Sequence, residues 1–166
     1  PIFDAPPSRA LPTIDLGGRW LGPAFIDSHL HITLGATTLS QCSLAGCASR
    51  DEFERRVAAH RARLDDAGER DAWLVGFGWN EADWRGDAPT RAWLATTERP
   101  AVAWRMDQHA CVVNDAALKL LDTTPVDGGE IDLDRGIFRE QAAWKRVIPA
   151  VPRSEEHTSE LQSQFR

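Results

Sequence analysis

The sequence predicts an α/β fold with a parallel sheet, because apolar runs of strand length alternate with stretches of helical period. Two runs carry the strands: AWLVGF at residues 72–77 and PAVAWRM at residues 100–106. A third, PAFIDSHLH at residues 23–31, ends on two histidines. The helical signal is strongest over residues 49–68, where Phe53, Val57, His60 and Leu64 recur at three- or four-residue intervals and form one stripe.

Taken in order, residues 1–12 are Pro-rich and read as extended chain. Residues 13–21 read as a short hairpin turning at Gly17-Gly18. Residues 23–31 read as a buried strand. Ser49 and Glu52 stand at capping-box spacing at the head of the long helix, and Gly68 sits where it should stop. After the strand at 72–77 comes a Trp- and Asp-rich stretch broken by Pro89 and Pro100, with a short helix expected over 90–97. The strand at 100–106 leads into Asp107-Gln108-His109. Asn114 is a natural cap for a short helix reaching Leu121. Asp127-Gly128-Gly129-Glu130 reads as a turn, and residues 137–147 as a helix ending before Pro149.

The chain has 166 residues, enough for one good core. With 42% hydrophobic and 27% charged residues its composition is globular, and its formal charge of −6 argues against nucleic acid or an anionic membrane as partner. No apolar run approaches the roughly 20 residues that span a bilayer. No basic patch followed by an apolar stretch opens the chain, so a cytoplasmic protein is expected, and the start at Pro1 suggests that sequence precedes it. Cys42, Cys47 and Cys111 form neither a CxxC pair nor an even set, which reads as reduced structural thiols. From Arg153 onward the text is polar and aperiodic. Residues 153–163, RSEEHTSELQS, resemble the translation of a sequencing-adapter oligonucleotide, so 153–166 is read as an artefactual or disordered tail.

The chemistry concentrates at FIDSHLH. Strand side chains alternate faces, so Asp27, His29 and His31 share one side. Two imidazoles at i and i+2 stand roughly 7 Å apart at Cα, which lets both reach one cation at about 2.0–2.1 Å. Asp27, one step deeper, can accept the other N–H of a histidine and fix its tautomer. Spacing alone leaves two ordinary strand histidines as an equal alternative. Their place at the end of an apolar run favours a metal, since strand ends are where α/β barrels build sites.

The string DLGGRWLGPAFIDSHLHITLGA, residues 15–36, resembles the entrance of the amidohydrolase superfamily. WLVGFGWNEADW, PTRAWL, DQHACVVNDAAL and GGEIDLDRGIFREQA follow in order and narrow the resemblance to its amidohydrolase 3, or YtcJ-like, branch. The resemblance implies a remnant of a small β-sandwich over 1–22, followed over 23–152 by the first strands of a metal-binding TIM barrel with an insertion. It implies a metal-dependent hydrolase acting on carbon–nitrogen, non-peptide bonds of an amide-type small molecule by metal-activated water, with zinc the expected divalent metal. His29 and His31 become metal ligands and Asp27 their outer support. Pro23-Ala24-Phe25 stands where the family usually has Pro-Gly-Phe. The family's further ligands, a lysine or acidic bridge, two more histidines and a catalytic aspartate, come from later strands. No catalytic residue is therefore expected in this chain, which should be inactive alone.

By the same resemblance His109 lines the substrate pocket and Glu140 contacts substrate or metal, while Trp79, after Gly76-Phe77-Gly78, walls the same pocket. Each has a plain alternative: a structural aromatic, a loop histidine holding backbone, and a carboxylate at a helix dipole. His60 lies on the helical stripe and reads as a packed core histidine, while Asp65-Asp66, Asp132 and Asp134 read as solvated surface charge. A rival reading from another class is a non-catalytic metal-binding or interaction fragment.

Overall fold

The structure is a computed structural model that describes residues 14–23 and 38–152. The expected strand at 23–31, with Asp27, His29 and His31, lies almost wholly outside these residues, as does the tail from Arg153. The chain divides into two compact units, Pro1–His31 and Ile32–Arg166.

In the first unit the Gly17-Gly18 turn is present. Both glycines hold positive φ, +55° and +76°, and Arg19 donates its backbone N–H to the Leu16 carbonyl at 3.1 Å. The side chain of Asp15 accepts the Gly17 N–H at 2.8 Å. The expected strands do not form among the described residues of this unit. Ile14, Trp20 and Leu21 are exposed, and an isolated two-stranded ribbon with no apolar face to bury is marginal in water.

Among the described residues the second unit forms a six-stranded mixed sheet. Its elements are β1 (Cys42–Ser43), α1 (Arg50–Asp66), β2 (Leu74–Trp79), β3 (Ala101–Arg105), β4 (Ala110–Val113), α2 (Asp115–Leu118), β5 (Gly129–Asp132) and β6 (Ile137–Glu140). Short 3-10 turns at Glu81–Asp83 and Arg91–Leu94 link β2 to β3, and a π-helical turn at Ala143–Val147 follows β6. The strand order is β1-β2-β3-β4-β6-β5. The first three strands run parallel, as expected, and the remaining pairings are antiparallel. The all-parallel expectation fails at β3–β4 because residues 106–109 are too few for a crossover and can only close a hairpin.

α1 is built as its sequence suggests. Ser49 Oγ accepts the Glu52 N–H at 3.2 Å, and the Glu52 carboxylate accepts the N–H of Ala48 at 3.0 Å. At the other end Gly68 holds φ +80°. Its N–H reaches the Asp65 carbonyl and the Glu69 N–H reaches that of Leu64, which closes a Schellman cap. Replacing the cap, Ser49→Ala, is expected to lower stability by about 1 kcal/mol, read as a shifted urea midpoint at unchanged slope.

The sheet is covered on both faces. Ala101, Ala103, Ala110, Val112 and Ile137 pack with Phe53 and Val57 of α1 on one side. Val102, Cys111, Val113 and Phe138 pack with Ala143 and Val147 of the π-helical turn on the other. Successive residues of each strand therefore serve opposite cores. Residues 137–140, expected to open a helix, alternate in this way between β4 and β5, and pairing on both edges overrides the helical period. Cys42, Cys47 and Cys111 are free and buried. Burial pushes the Cys42 thiol up to about 11 and raises those of Cys47 and Cys111, so all three stay protonated at neutral pH.

Candidate functional site

Two of the three residues expected to line a pocket meet at one end of the antiparallel half of the sheet. The turn between β3 and β4 carries His109. The end of β6 carries Glu140, and His109 Nδ1 lies 2.9 Å from Glu140 Oε2. Both side chains are half exposed. The backbones are joined as well, since the Glu140 N–H donates to the His109 carbonyl at 2.8 Å. Ladder pairing fixes this meeting: Ala110 opposes Arg139, so the residues just before and after them must face each other.

Around the pair the chain is tightly specified. Asp107 accepts the His109 backbone N–H at 3.0 Å. Trp144, on the π-helical turn, sets its ring against the imidazole at 5.2 Å between centroids, edge to face, and donates its indole N–H to the Gln108 carbonyl at 3.0 Å. Arg105 grips Glu81 through two bonds of 3.0 Å and also pairs with Asp107. The bond to Glu140 raises the His109 imidazole above its ordinary range, with the Glu140 and Asp107 charges acting the same way and Arg105 opposing. The bond to Arg105 likewise holds the Glu81 carboxyl below the usual range.

Trp79, the third expected lining residue, is 1% exposed. A bulge between Phe77 and Trp79, with Gly78 at φ +99°, turns the indole onto the face shared with Leu74. There it donates its N–H to the Ala103 carbonyl at 2.9 Å and packs beside Trp84. His60 is buried as expected. Its Nδ1 accepts from Arg63 at 2.9 Å, and burial together with the Arg63 and Arg99 charges lowers its basicity.

Sequence reasoning missed the partners of the His109 pair. Asp-Gln-His between two apolar runs is a hairpin signal, yet nothing local ties Glu81 to Arg105, 24 positions away, or Trp144 to Gln108. A separate open hollow of about 690 Å³ lies at the head of α1, lined by Arg50, Trp84, Asp87, Trp93 and Arg135 among others. Among the described residues no three His, Cys, Asp or Glu side chains come together as a metal site, and no helix is long and apolar enough to cross a membrane.

The sequence pattern described as the Amidohydrolase family matches residues 12–163 of the chain. The putative amidohydrolase YtcJ of Bacillus subtilis is 30% identical over 156 residues, which is 87% of this chain and 28% of that protein. The protein LONG AFTER FAR-RED 3 of Arabidopsis thaliana is 33% identical over 122 residues, 69% of this chain and 20% of its own length. The chain thus spans between a fifth and somewhat over a quarter of these relatives. Among solved structures, an uncharacterized metal-dependent hydrolase from Pyrococcus furiosus aligns with a TM-score of 0.56 at 33% identity, over 74% of this chain and 24% of that one. Its counterpart from Pyrococcus horikoshii aligns equally well at 32% identity, over 74% and 23%.

Proposed function

The chain belongs to the amidohydrolase family, and from that premise we propose that it supplies the opening segment of a metal-dependent hydrolase that cleaves a non-peptide carbon–nitrogen bond in an amide-type small molecule. The observation that carries this reading is the ordered family match over 12–163, joined to the 33% identity with a metal-dependent hydrolase of similar fold. The parallel run β1-β2-β3 is compatible with the opening strands of a TIM barrel.

The metal role falls to His29 and His31, whose i, i+2 imidazoles suit zinc or another borderline divalent cation, with Asp27 behind them. A bound cation of this kind would supply an activated water and polarise the substrate carbonyl. Catalytic zinc normally takes three protein ligands, so two histidines leave the set incomplete, and the remainder belongs to the length of the relatives that this chain does not span. Within the second unit the substrate contact is assigned to His109, held by Glu140.

Zinc titration by calorimetry separates this from its rivals. The 166-residue chain should bind zinc, and the double variant His29→Ala/His31→Ala should lose that heat; identical traces would discard the metal role. The same chain with zinc should turn over no amide, urea or cyclic imide. A form extended to the relatives' full length should do so and stop when a chelator removes the metal. Turnover that survives chelation would overturn the assignment.

A further inference from the structure

Gln108 and Glu140 hold φ of +62° and +51°, a region that side-chain-bearing residues rarely occupy. Such a residue is strained and persists only where its surroundings over-determine it. Both lie beside one imidazole. Gln108 precedes His109 in the β3–β4 turn, and Glu140 faces it from β6. Backbone, carboxylate and indole contacts then fix the ring from three elements. An exposed histidine in an ordinary turn needs none of this.

The bonding also fixes which nitrogen is free. An ionised carboxylate can only accept, so Nδ1 carries the hydrogen toward Glu140 whether the ring is neutral or charged. The proton that comes and goes is therefore the one on Nε2. We propose that Glu140 is a positioning residue that locks His109 with Nε2 as its free nitrogen, and that in the protonated ring this Nε2–H donates to the carbonyl oxygen of an uncharged amide or urea substrate. The substrate part rests on the hydrolase reading above.

Local charge selects the uncharged class. The groups facing the ring are Glu140 from β6, Asp107 from the β3–β4 turn and Arg105 from the end of β3, itself bound to Glu81. The protonated imidazole is matched by Glu140 and the Arg105 guanidinium by Asp107, so the groups facing the ring carry no net positive charge. A substrate carboxylate or phosphate therefore finds no surplus cation here, whereas a neutral carbonyl needs only the donor. Trp144, from the π-helical turn, adds an apolar wall without charge.

Two measurements test this. In nitrogen-15 NMR of the 166-residue chain, His109, assigned by its loss in His109→Gln, should be the Nδ1–H tautomer when neutral. Its titration midpoint should fall in Glu140→Gln and return in Glu140→Asp. An Nε2–H tautomer, or a midpoint indifferent to Glu140→Gln, would overturn the lock. In the full-length enzyme, His109→Gln should raise KM for a neutral N-acyl amide about tenfold, the worth of one lost hydrogen bond, with kcat little changed. Glu140→Gln should move the alkaline limb of 1/KM to lower pH. An active enzyme whose KM ignores both changes refutes the substrate contact. Absence of any metal-dependent turnover refutes the hydrolase reading and that contact together, while the tautomer still decides the lock.

Discussion

Replacing Asn114 by alanine should destabilise the second unit by about 3–4 kcal/mol, a large part of the 5–15 kcal/mol by which a typical domain stays folded. The side chain is 3% exposed and makes four hydrogen bonds. Its Oδ1 accepts from the N–H of Ala101 and of Ala117, each at 3.0 Å. Its Nδ2 donates to the carbonyls of Thr97, at 3.2 Å, and Arg99, at 2.9 Å. One amide thus caps α2, starts β3 and holds the loop between Thr97 and Pro100. Loss of the cap alone is worth about 1 kcal/mol, and each buried backbone group left without a partner adds about 1–3 kcal/mol before relaxation.

Asn114→Asp separates the cap from the rest. Aspartate keeps the acceptor for Ala101 and Ala117 but loses both donors, and when ionised it sets a buried charge against two carbonyl oxygens. It should therefore be at least as damaging as alanine at neutral pH, although aspartate is an excellent cap at an exposed helix end. The sign of its pH dependence follows from that burial. An aspartate disfavoured in its ionised form has a folded-state pKa above the unfolded value, so its cost is smallest below the unfolded pKa and grows as pH rises through the folded one. Urea midpoints for the two variants at two pH values check this. A shift below 1 kcal/mol in Asn114→Ala would mean that the four bonds are replaced by water.

Asn114 also shows what the sequence could tell. Its role as a cap is a local signal and is correctly placed, as are Ser49, Gly68 and the stripe of α1, because each answers a need within a few residues. Its other three bonds reach back 13 to 17 positions and leave no trace in the local pattern. The same divide runs through the sheet. β2 and β3 are legible as apolar runs, displaced by a residue or two. β6 is not, since Ile137, Phe138 and the residues after them fit a helical period as well as a strand's, and only β4 and β5 on either side decide between them. His109 and Glu140 are each visible singly through their motifs. That they form a pair depends on the β4–β6 pairing, 31 positions apart in sequence. Trp79 needed knowledge of one left-handed glycine, because without the Gly78 bulge strand alternation would turn its indole to the other face of the sheet.

Gly136→Ala should cost about 3–5 kcal/mol and should also dismantle the His109 pair. The residue holds φ +72° just before β6, where a side chain is already strained by about 1 kcal/mol or more. Space then adds a second penalty. A Cβ here would stand 2.5 Å from the Val113 carbonyl oxygen and 2.9 Å from Arg91 Cβ. The first obstacle is backbone, and it cannot rotate aside. Moving it breaks the bond from the Val113 N–H to the Gly136 carbonyl at 2.8 Å, and with it the start of the β4–β6 ladder that brings Glu140 to His109. Gly68→Ala supplies the control, since Gly68 holds a similar φ of +80° with nothing within 4 Å of the added carbon. That variant should lose only the conformational part, about 1 kcal/mol, and leave the His109 tautomer unchanged. Equal losses at the two glycines would show that φ alone sets the cost. A Gly136→Ala protein that melts lower yet keeps its Nδ1–H tautomer would show that the ladder absorbs the overlap without moving Glu140.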